Sequence, residues 1–442
     1  MLKKIVAVLA TLWAAAGLIA GAVLGVYMYR HINHPFYFLL PFVLLGGLGV
    51  VPSSLLLLLL RAKTWRARLA TVAVYGVAIA LAVGGPAAWR NYYETPRNGG
   101  PYLVWSDDPK TTMTVCWTAQ QSVPGRVEYA AEGAAEWKPA ECPATNYPKV
   151  KIAGLQPGAK YRYRVPALGG QEHPFQTAPA VPEDFSFAVY GDNRHAGGFS
   201  WHSSVMREMV REDGREHFRL ILNSGDIVER PGKGYGWQWA TFLRDITPLA
   251  ASRPYEVSLG NHESGGDPPP FEDYFDYGHK EHWRTLDYAG VRFITVSTQD
   301  DIKPGSAQYS WLEQALDQKP ADNRFTVVTM HKPLLTRDPR GKYNDPVMRG
   351  ELEPLFAAKG VDIVFAGHVH AYEHHHLPSF EHVITGGGGV LLWAKPTPGP
   401  DTVKTETVWH FCAVNVKGKT MSVRALRTDG SVIEAFEVQS KR

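Results

Sequence analysis

Five short apolar segments after residue 184 each run into residues that can bind a cation or carry a proton. A buried strand that stops at such a residue places it at the carboxyl edge of a sheet, where open α/β folds carry their sites. We therefore predict strands at residues 185–190, 220–222, 257–259, 326–330 and 361–366, followed by the site residues Asp192, Asp226, Asn261, His331, His368 and His370.

These six side chains supply two carboxylates, one amide oxygen and three imidazoles. Such ligands suit hard or borderline cations, and two cations a few ångström apart can serve one hydrolytic reaction. Each signal is weak alone, because an Asp after a strand is commonly a turn or cap residue and a single His is commonly structural. Their occurrence in order along five strand ends predicts a site for two divalent or trivalent metal ions, with Fe, Mn and Zn all compatible.

The segments around these strands predict two domains after residue 96. Residues 203–212 and 309–316 are helical in pattern, and their alternation with the strands is typical of a layered αββα or αβα body over residues 181–442. Before it, residues 97–180 contain short alternating segments between Gly, Pro and Asn, at residues 112–117, 125–129, 150–152 and 161–165. That spacing predicts an all-β, antiparallel sandwich, to which we assign no chemistry.

Three uncharged apolar segments in residues 1–96 approach or exceed the length needed to span a membrane as helices, at residues 5–29, 36–60 and 69–89. The first is longer than the apolar part of a cleaved signal peptide and two more follow it, so we predict a retained anchor. Pro41 and Pro52 interrupt the second segment, which leaves a re-entrant segment as the alternative there. The lipid bilayer is therefore an expected partner.

The basic residues around these segments predict the orientation of the chain. Lys3 and Lys4 precede the first span and four basic residues lie between the second and third, whereas the first loop carries only Arg30. Basic loops stay in the cytoplasm, so we predict a multi-pass cell-membrane protein with a cytoplasmic N-terminus and extracytoplasmic domains after residue 89. A bridge between Cys116 and Cys142 is permitted outside the cytoplasm but is not required.

The distribution of charge argues against a nucleic-acid partner. The first 97 residues hold nine basic residues and one acidic residue, while the whole chain has a formal net charge of +3, so the remainder is net negative. Nucleic-acid phosphates are bound mainly by clustered Lys and Arg, which such a body lacks. Three cysteines match neither a disulfide scaffold nor a CxxC zinc site. The sequence predicts no particular protein partner.

The motifs of the second half resemble those of the calcineurin-like metallophosphoesterase superfamily. GHVHAYE, QYSWLE and TGGGG are similar to its purple acid phosphatase branch, and TMTVCWTAQ, VEYA, IAGLQPGAKYRYRV and PFQTAP resemble the fibronectin type III-like domain that precedes the catalytic domain there. The resemblance implies a four-layer (αββα) domain with a binuclear centre. In it Asp226 would bridge both metals, metal one would add Asp192 and His370, and metal two would add Asn261, His331 and His368.

The same resemblance implies a hydrolase acting on phosphoric ester bonds, a phosphomonoesterase or phosphodiesterase that uses a metal-activated hydroxide. His262 would protonate the leaving oxygen, or alternatively orient a neighbouring ligand through a hydrogen bond. The substrate cannot be identified from the sequence beyond a phosphate ester. A non-catalytic surface binding module with a degenerate metal site is the alternative function.

Two positions depart from the family pattern. Glu229 stands where purple acid phosphatases have a metal-binding Tyr, and Arg194 stands where most other members have a His ligand. Metal one is left with few protein ligands, and three alternatives are open. It binds weakly, it holds additional water, or it recruits a neighbouring side chain such as His195 or Glu229. The planar guanidinium of Arg194 matches a phosphate, so we predict a phosphate clamp, with a salt bridge as the alternative.

Three consecutive histidines, His374, His375 and His376, follow the last predicted ligand. Consecutive side chains on a strand or loop point in different directions, so three such residues do not form one ligand set. We therefore predict that this segment is a solvated loop.

Overall fold

A computed structural model describes residues 64–65, 98–195, 200–231, 236–264, 271–275, 277–340 and 345–442. The three predicted membrane spans, at residues 5–29, 36–60 and 69–89, lie outside this part of the chain. Among the residues that are described, no helix has the length and apolar character that crossing a membrane requires. The membrane anchor therefore stays a prediction.

The first domain is a sandwich of two antiparallel sheets. One sheet has the order β1-β2-β5 and the other the order β4-β3-β6-β7, where the strands are β1 (Gly99–Val104), β2 (Met113–Thr118), β3 (Val123–Ala131), β4 (Lys138–Thr145), β5 (Lys149–Ile152), β6 (Lys160–Arg164) and β7 (Glu172–Gln176). Alternate residues of β6 are buried because one face of its sheet covers the core. The four strands predicted for this region are confirmed. Cys116, Cys142 and Cys412 are free thiols, so the permitted bridge is not formed.

Two larger sheets form the second domain. The first has the order β10-β9-β8-β18-β19-β20, with β8 (Phe185–Tyr190), β9 (Ile221–Asn223), β10 (Tyr255–Val257), β18 (His410–Lys417), β19 (Thr420–Arg427) and β20 (Val432–Gln439). The second has the order β11-β12-β13-β14-β16-β15-β17, with β11 (Arg284–Tyr288), β12 (Val291–Val296), β13 (Phe325–Met330), β14 (Ile363–Ala366), β15 (Tyr372–Leu377), β16 (Phe380–Thr385) and β17 (Thr402–Glu406). The neighbours β8, β9 and β10 are parallel, as are β13 and β14, so their carboxyl ends share an edge.

Helices cover the outer faces of both sheets. They are α1 (His202–Glu216), α2 (Gly236–Ala250), α3 (Phe271–Tyr274), α4 (Ala307–Asp317) and α5 (Pro346–Ala358), with a short 3₁₀ helix at Pro166–Leu168. One apolar cluster joins α1 and α2 to the first sheet and another joins α4 and α5 to the second. A third cluster lies between the sheets, where the rings of Phe187 and Phe293 meet edge to face at 5.1 Å. Apolar side chains on both faces of each sheet explain why the central strands are continuous apolar segments.

The predicted strand ends agree with the structure at four of the five positions to within one residue. The strand predicted at residues 257–259 is wrong by two residues, because β10 ends at Val257 and residues 258–260 already belong to the loop that leads to Asn261. The predicted helices at residues 203–212 and 309–316 lie within α1 and α4.

The three consecutive histidines lie on β15, so the prediction of a solvated loop is wrong. His374 and His375 are buried because both faces of this strand are covered, whereas His376 is exposed. His374 Nδ1 lies 3.1 Å from Glu434 on β20, and its Nε2 lies 3.0 Å from Glu381 on β16. The His374 ring also stacks on Phe436 at 4.0 Å. Since both nitrogens face carboxylates, these contacts favour the protonated ring, and His374 links the two sheets through them.

We expect the free energy of unfolding to fall as the pH rises above 6.5, because His374 then loses its proton. Burial lowers the pKa of His374, but hydrogen bonds to Glu381 and Glu434 outweigh burial and raise it above its ordinary value. The stabilisation that charged His374 contributes is therefore fully present below its pKa in the unfolded chain. It is lost as the pH rises through its pKa in the folded protein. Urea unfolding of His374→Gln at both ends of this range should show a weaker pH dependence and a loss of about 2 kcal/mol at the acidic end.

His376→Gln is the matched control for this prediction, because its side chain is 70% exposed and its ion pair with Glu381 contributes little. If both variants kept the pH dependence of the parent protein, His374 would not be its source.

Candidate metal centre

Backbone hydrogen bonds tie the loops after the parallel strands to one another. Asp192 donates its N–H to Gly225, and Gly367 donates its N–H to His331, each at 2.9 Å. The N–H of His368 donates to the Asp192 carboxylate at 2.7 Å. These bonds bring residues that lie far apart in the sequence to one edge of the two sheets, as the sequence predicts.

Three predicted ligands have backbone conformations that side chains other than glycine rarely adopt. The φ angles are 58° at Asp192, 56° at Asp226 and 70° at His368. Each such residue costs of the order of 1 kcal/mol or more, and such strain is concentrated at functional sites. The hydrogen bonds between the loops hold these three residues in their unfavourable backbone conformations.

The first donor set consists of Asp226, Asn261, His331 and His368. His331 Nε2 lies 3.2 Å from Asp226 Oδ1, 3.0 Å from Asn261 Oδ1 and 3.1 Å from His368 Nδ1. The Nδ1–H of His331 donates to the Ser224 carbonyl at 2.8 Å, so Nε2 of the neutral ring presents a lone pair to these oxygens.

Burial keeps both imidazoles of this set neutral. It lowers the pKa of His331 and, together with the neighbouring His331 ring, lowers the pKa of His368 to about 3. Lone pairs of two nitrogens and two oxygens that converge on one point repel one another unless a cation lies between them. Asp226, His331 and His368 also have ligand atoms within 4.8 Å of one another. The residues present therefore fit one metal ion.

The second donor set consists of Asp192, His370 and the other oxygen of Asp226. His370 Nε2 lies 3.6 Å from Asp192 Oδ1, and His370 Nδ1 donates to the Leu391 carbonyl at 2.8 Å. Burial lowers the pKa of His370 well below its ordinary value. This set differs from the first because a positively charged side chain, that of Arg194, also lies in it.

Arg194 contacts two carboxylates at this position. Its Nε lies 3.3 Å from Asp226 Oδ2, and its Nη1 pairs with Glu229. This arrangement is the salt-bridge alternative of the sequence analysis, and the phosphate clamp stays a prediction. Glu229 is engaged by Arg194 rather than turned to the metal ligands, and the His195 ring lies 6.0 Å from that of Trp237. Glu229 therefore does not complete the second donor set, and the recruitment of His195 stays a prediction.

His262, the predicted proton donor, lies at the opening of the site with 25% of its side chain exposed. Its Nδ1 is 2.8 Å from the Glu229 carbonyl and its Nε2 is 3.8 Å from Asp226 Oδ2. A carbonyl only accepts hydrogen bonds, so Nδ1 carries a proton. His262 can thus give a proton from Nε2 only when the ring is positively charged.

Glu263 is a site residue to which the sequence analysis assigned no role. Its buried carboxylate accepts N–H groups from Asp226 and Val228, both at 2.9 Å, and from Gly260 at 3.1 Å. Burial and the charge of Asp226 raise the pKa of Glu263 to about 8, and the three N–H donors oppose that rise. Its position directly after His262 was the available signal. The backbone carbonyls that orient His331 and His370 gave no signal in the sequence, because every residue has a backbone carbonyl.

Comparison with family models identifies the two domains. Residues 185–372 match the model of calcineurin-like phosphoesterases, and residues 99–181 match the model of the purple acid phosphatase N-terminal domain. The chain thus carries a domain similar to calcineurin-like phosphoesterases, preceded by one similar to the purple acid phosphatase N-terminal domain. This family comprises hydrolases of phosphoric esters and implies a dinuclear metal centre.

Purple acid phosphatases of plants are similar in sequence to this chain. Probable purple acid phosphatase 20 of Arabidopsis thaliana is 29% identical over 295 residues, covering 59% of this chain and 65% of that protein. Probable inactive purple acid phosphatase 27 of the same plant is 30% identical over 303 residues, covering 54% and 49%. The chain thus spans from about half to just under two thirds of the length of these relatives.

A solved structure shows the same fold. The purple acid phosphatase PPD1 from yellow lupin (Lupinus luteus) seeds superposes with a TM-score of 0.67 and 19% identity, covering 77% of this chain and 74% of that one. Identity this low supports the fold and says nothing about the substrate.

Proposed function

We propose that this protein hydrolyses phosphoric esters with a metal ion held by Asp226, Asn261, His331 and His368. The observation that supports it is the position of His331 Nε2, which faces Asp226 Oδ1 and Asn261 Oδ1 at 3.2 and 3.0 Å in a buried site. A cation bound there polarises a phosphoryl oxygen and lowers the pKa of a water. The family match of the domain to phosphoesterases points to the same reaction.

The protein's own residues hold and orient the reacting groups. Glu263 fixes the loop of Asp226 through its three N–H bonds, so the Asp226 carboxylate does not need to reorganise during the reaction. His262 lies at the exposed side of that carboxylate, where its Nε2 can hold a proton and give it to the leaving oxygen. Arg194 keeps a fixed positive charge beside the Asp226 carboxylate.

The non-catalytic binding module is retained as a second candidate because two observations favour it. One relative carries the name of an inactive phosphatase, and Arg194 occupies part of the second donor set. In that case the sandwich and the degenerate site would bind a partner without turnover.

Turnover of chromogenic esters separates the two candidates. The purified chain should be stripped with a chelator, reloaded with Mn²⁺, Zn²⁺ or Fe²⁺, and assayed with p-nitrophenyl phosphate and bis-p-nitrophenyl phosphate. We expect turnover of at least one ester that disappears with the chelator and returns with metal. A reloaded protein that binds metal and hydrolyses neither ester would reject the proposed hydrolysis and favour the binding module.

We further propose that the protein is anchored in the cell membrane with both domains outside the cytoplasm. The motive is the difference in basic residues between the two loops of residues 1–96. In a protein with its cysteines replaced by serine, Lys417→Cys should react with an impermeant thiol reagent on intact cells, whereas Thr64→Cys should react only after lysis. Labelling of Thr64→Cys on intact cells would show that the proposed orientation is wrong.

A further inference from the structure

The guanidinium of Arg194 lies among the donors that would hold a second cation. We infer that Arg194 takes the place of that cation, so that the centre binds one metal ion, in the first donor set. This inference rests on the proposed function and concerns how many ions that site holds. It departs from the binuclear centre that the family implies, and the reason lies in the contacts of this chain.

The two oxygens of the Asp226 carboxylate have different partners. Its Oδ1 faces His331 Nε2 at 3.2 Å and accepts the N–H of His262 at 3.1 Å. Its Oδ2 faces Arg194 Nε at 3.3 Å. A carboxylate can join two cations by offering one oxygen to each of them. Here one oxygen faces the metal position of the first donor set and the other faces a guanidinium.

Arg194 is held in this position from both ends. Its backbone N–H donates to the Asp226 carbonyl at 3.1 Å, and its side chain is only 11% exposed. Its partner Glu229 is 6% exposed, and the Glu229 N–H donates to Gln238 at 2.7 Å. If the guanidinium left, the nearly buried carboxylate of Glu229 would lose its cation, which is strongly unfavourable.

The two departures from the family pattern are thus one feature. Arg194 and Glu229, the residues that replace ligand positions in the sequence, form an ion pair with each other. A replacement at only one of these two positions would leave an unpaired charge that is nearly buried, whereas the opposite charges of Arg194 and Glu229 neutralise each other. The pairing explains why both positions differ together in this chain.

The donors that remain on this side are too few for a second ion. Asp192 Oδ1 and His370 Nε2, 3.6 Å apart, are two ligand atoms, and zinc sites in proteins use three or four protein ligands. A divalent ion placed there would also lie beside the Arg194 charge, where the low dielectric of a buried site strengthens repulsion.

A guanidinium supplies part of what a cation would supply. Arginine stays charged at every pH at which the protein is folded, and its planar N–H donors match phosphate oxygens. The positive charge on this side of the site is therefore built into the chain and cannot be removed by a chelator.

The number of ions per chain tests the inference. The purified full-length protein, Arg194→His and the control Arg207→His should be saturated with Mn²⁺, passed through a desalting column and analysed for metal. Arg207 is an exposed residue of α1, so its variant adds a histidine away from the site. We expect one ion per chain in the parent protein and in Arg207→His, and two in Arg194→His, whose imidazole would add a ligand beside Asp192.

Electron paramagnetic resonance of bound Mn²⁺ gives a second readout that does not depend on activity or on the variant folding. The parent protein should show the spectrum of an isolated ion, and Arg194→His that of a coupled pair. Two ions per chain or a coupled pair in the parent protein would overturn the inference, and so would one ion per chain in a folded Arg194→His. One ion per chain in the parent protein without ester turnover would contradict the proposed function but not this inference. Two ions per chain with ester turnover would contradict this inference but not the proposed function.

Discussion

Replacing Asn261 or His331 with Ala should empty the metal site and reduce ester turnover at least about 10³-fold, because each variant removes one of four ligands. His331 Nε2 is within 3.2 Å of both Asp226 Oδ1 and Asn261 Oδ1, so the loss of either side chain removes a donor from the same point. The fold should survive, since the apolar clusters between the layers do not include either residue.

Metal content, ester turnover and thermal unfolding of the same preparations check this expectation. His376→Ala is the matched control, because it removes an imidazole that is 70% exposed on β15 and should leave metal content and turnover unchanged. Full activity in Asn261→Ala would remove this residue from the ligand set. A loss of activity together with a collapsed fold in His331→Ala would instead assign that residue a structural role.

The positions of the ligands could be predicted because they follow strands that are apolar on both faces. A buried parallel strand appears in the sequence as an uninterrupted apolar segment, and the first polar residues after it mark its carboxyl end. The segment before Asp192 and the segment before His331 are read correctly for this reason. The strand before Asn261 is displaced because the apolar Leu259 already belongs to the loop.

The contacts that decide the charge of the site could not be predicted. Arg194 and Glu229 are 35 residues apart, and nothing in the spacing of the sequence indicates that they pair. His374 likewise meets Glu434, 60 residues further along, only because β20 of the first sheet passes beside β15 of the second. Residue types restrict what each side chain can do, but the choice between a phosphate ligand, a metal ligand and an ion pair depends on partners from distant segments.

Gly260→Ala should destabilise the protein by about 2 kcal/mol or more and weaken metal binding at least about tenfold, because there is no room for a methyl group. A Cβ at Gly260 would lie within 3.0 Å of the Asp226 backbone N, of Asp226 Oδ1 and of Glu263 Oε2. These atoms cannot move apart freely, since Glu263 is bonded to the N–H groups of Asp226, Val228 and Gly260. The methyl group would therefore displace the metal-binding carboxylate itself.

Gly214→Ala is the matched control for this last variant. Gly214 lies in α1, and beyond the backbone of that helix no atom comes within 4 Å of the place where an alanine methyl group would lie. The change should therefore raise the stability by about 0.5 to 1 kcal/mol through helix propensity alone. Urea unfolding gives the stability of both variants, and titration with Mn²⁺ gives their metal affinity. If Gly260→Ala bound metal as tightly as the parent protein, the loop held by Glu263 would be able to relax, and the rigidity that we assign to the Asp226 carboxylate would be wrong.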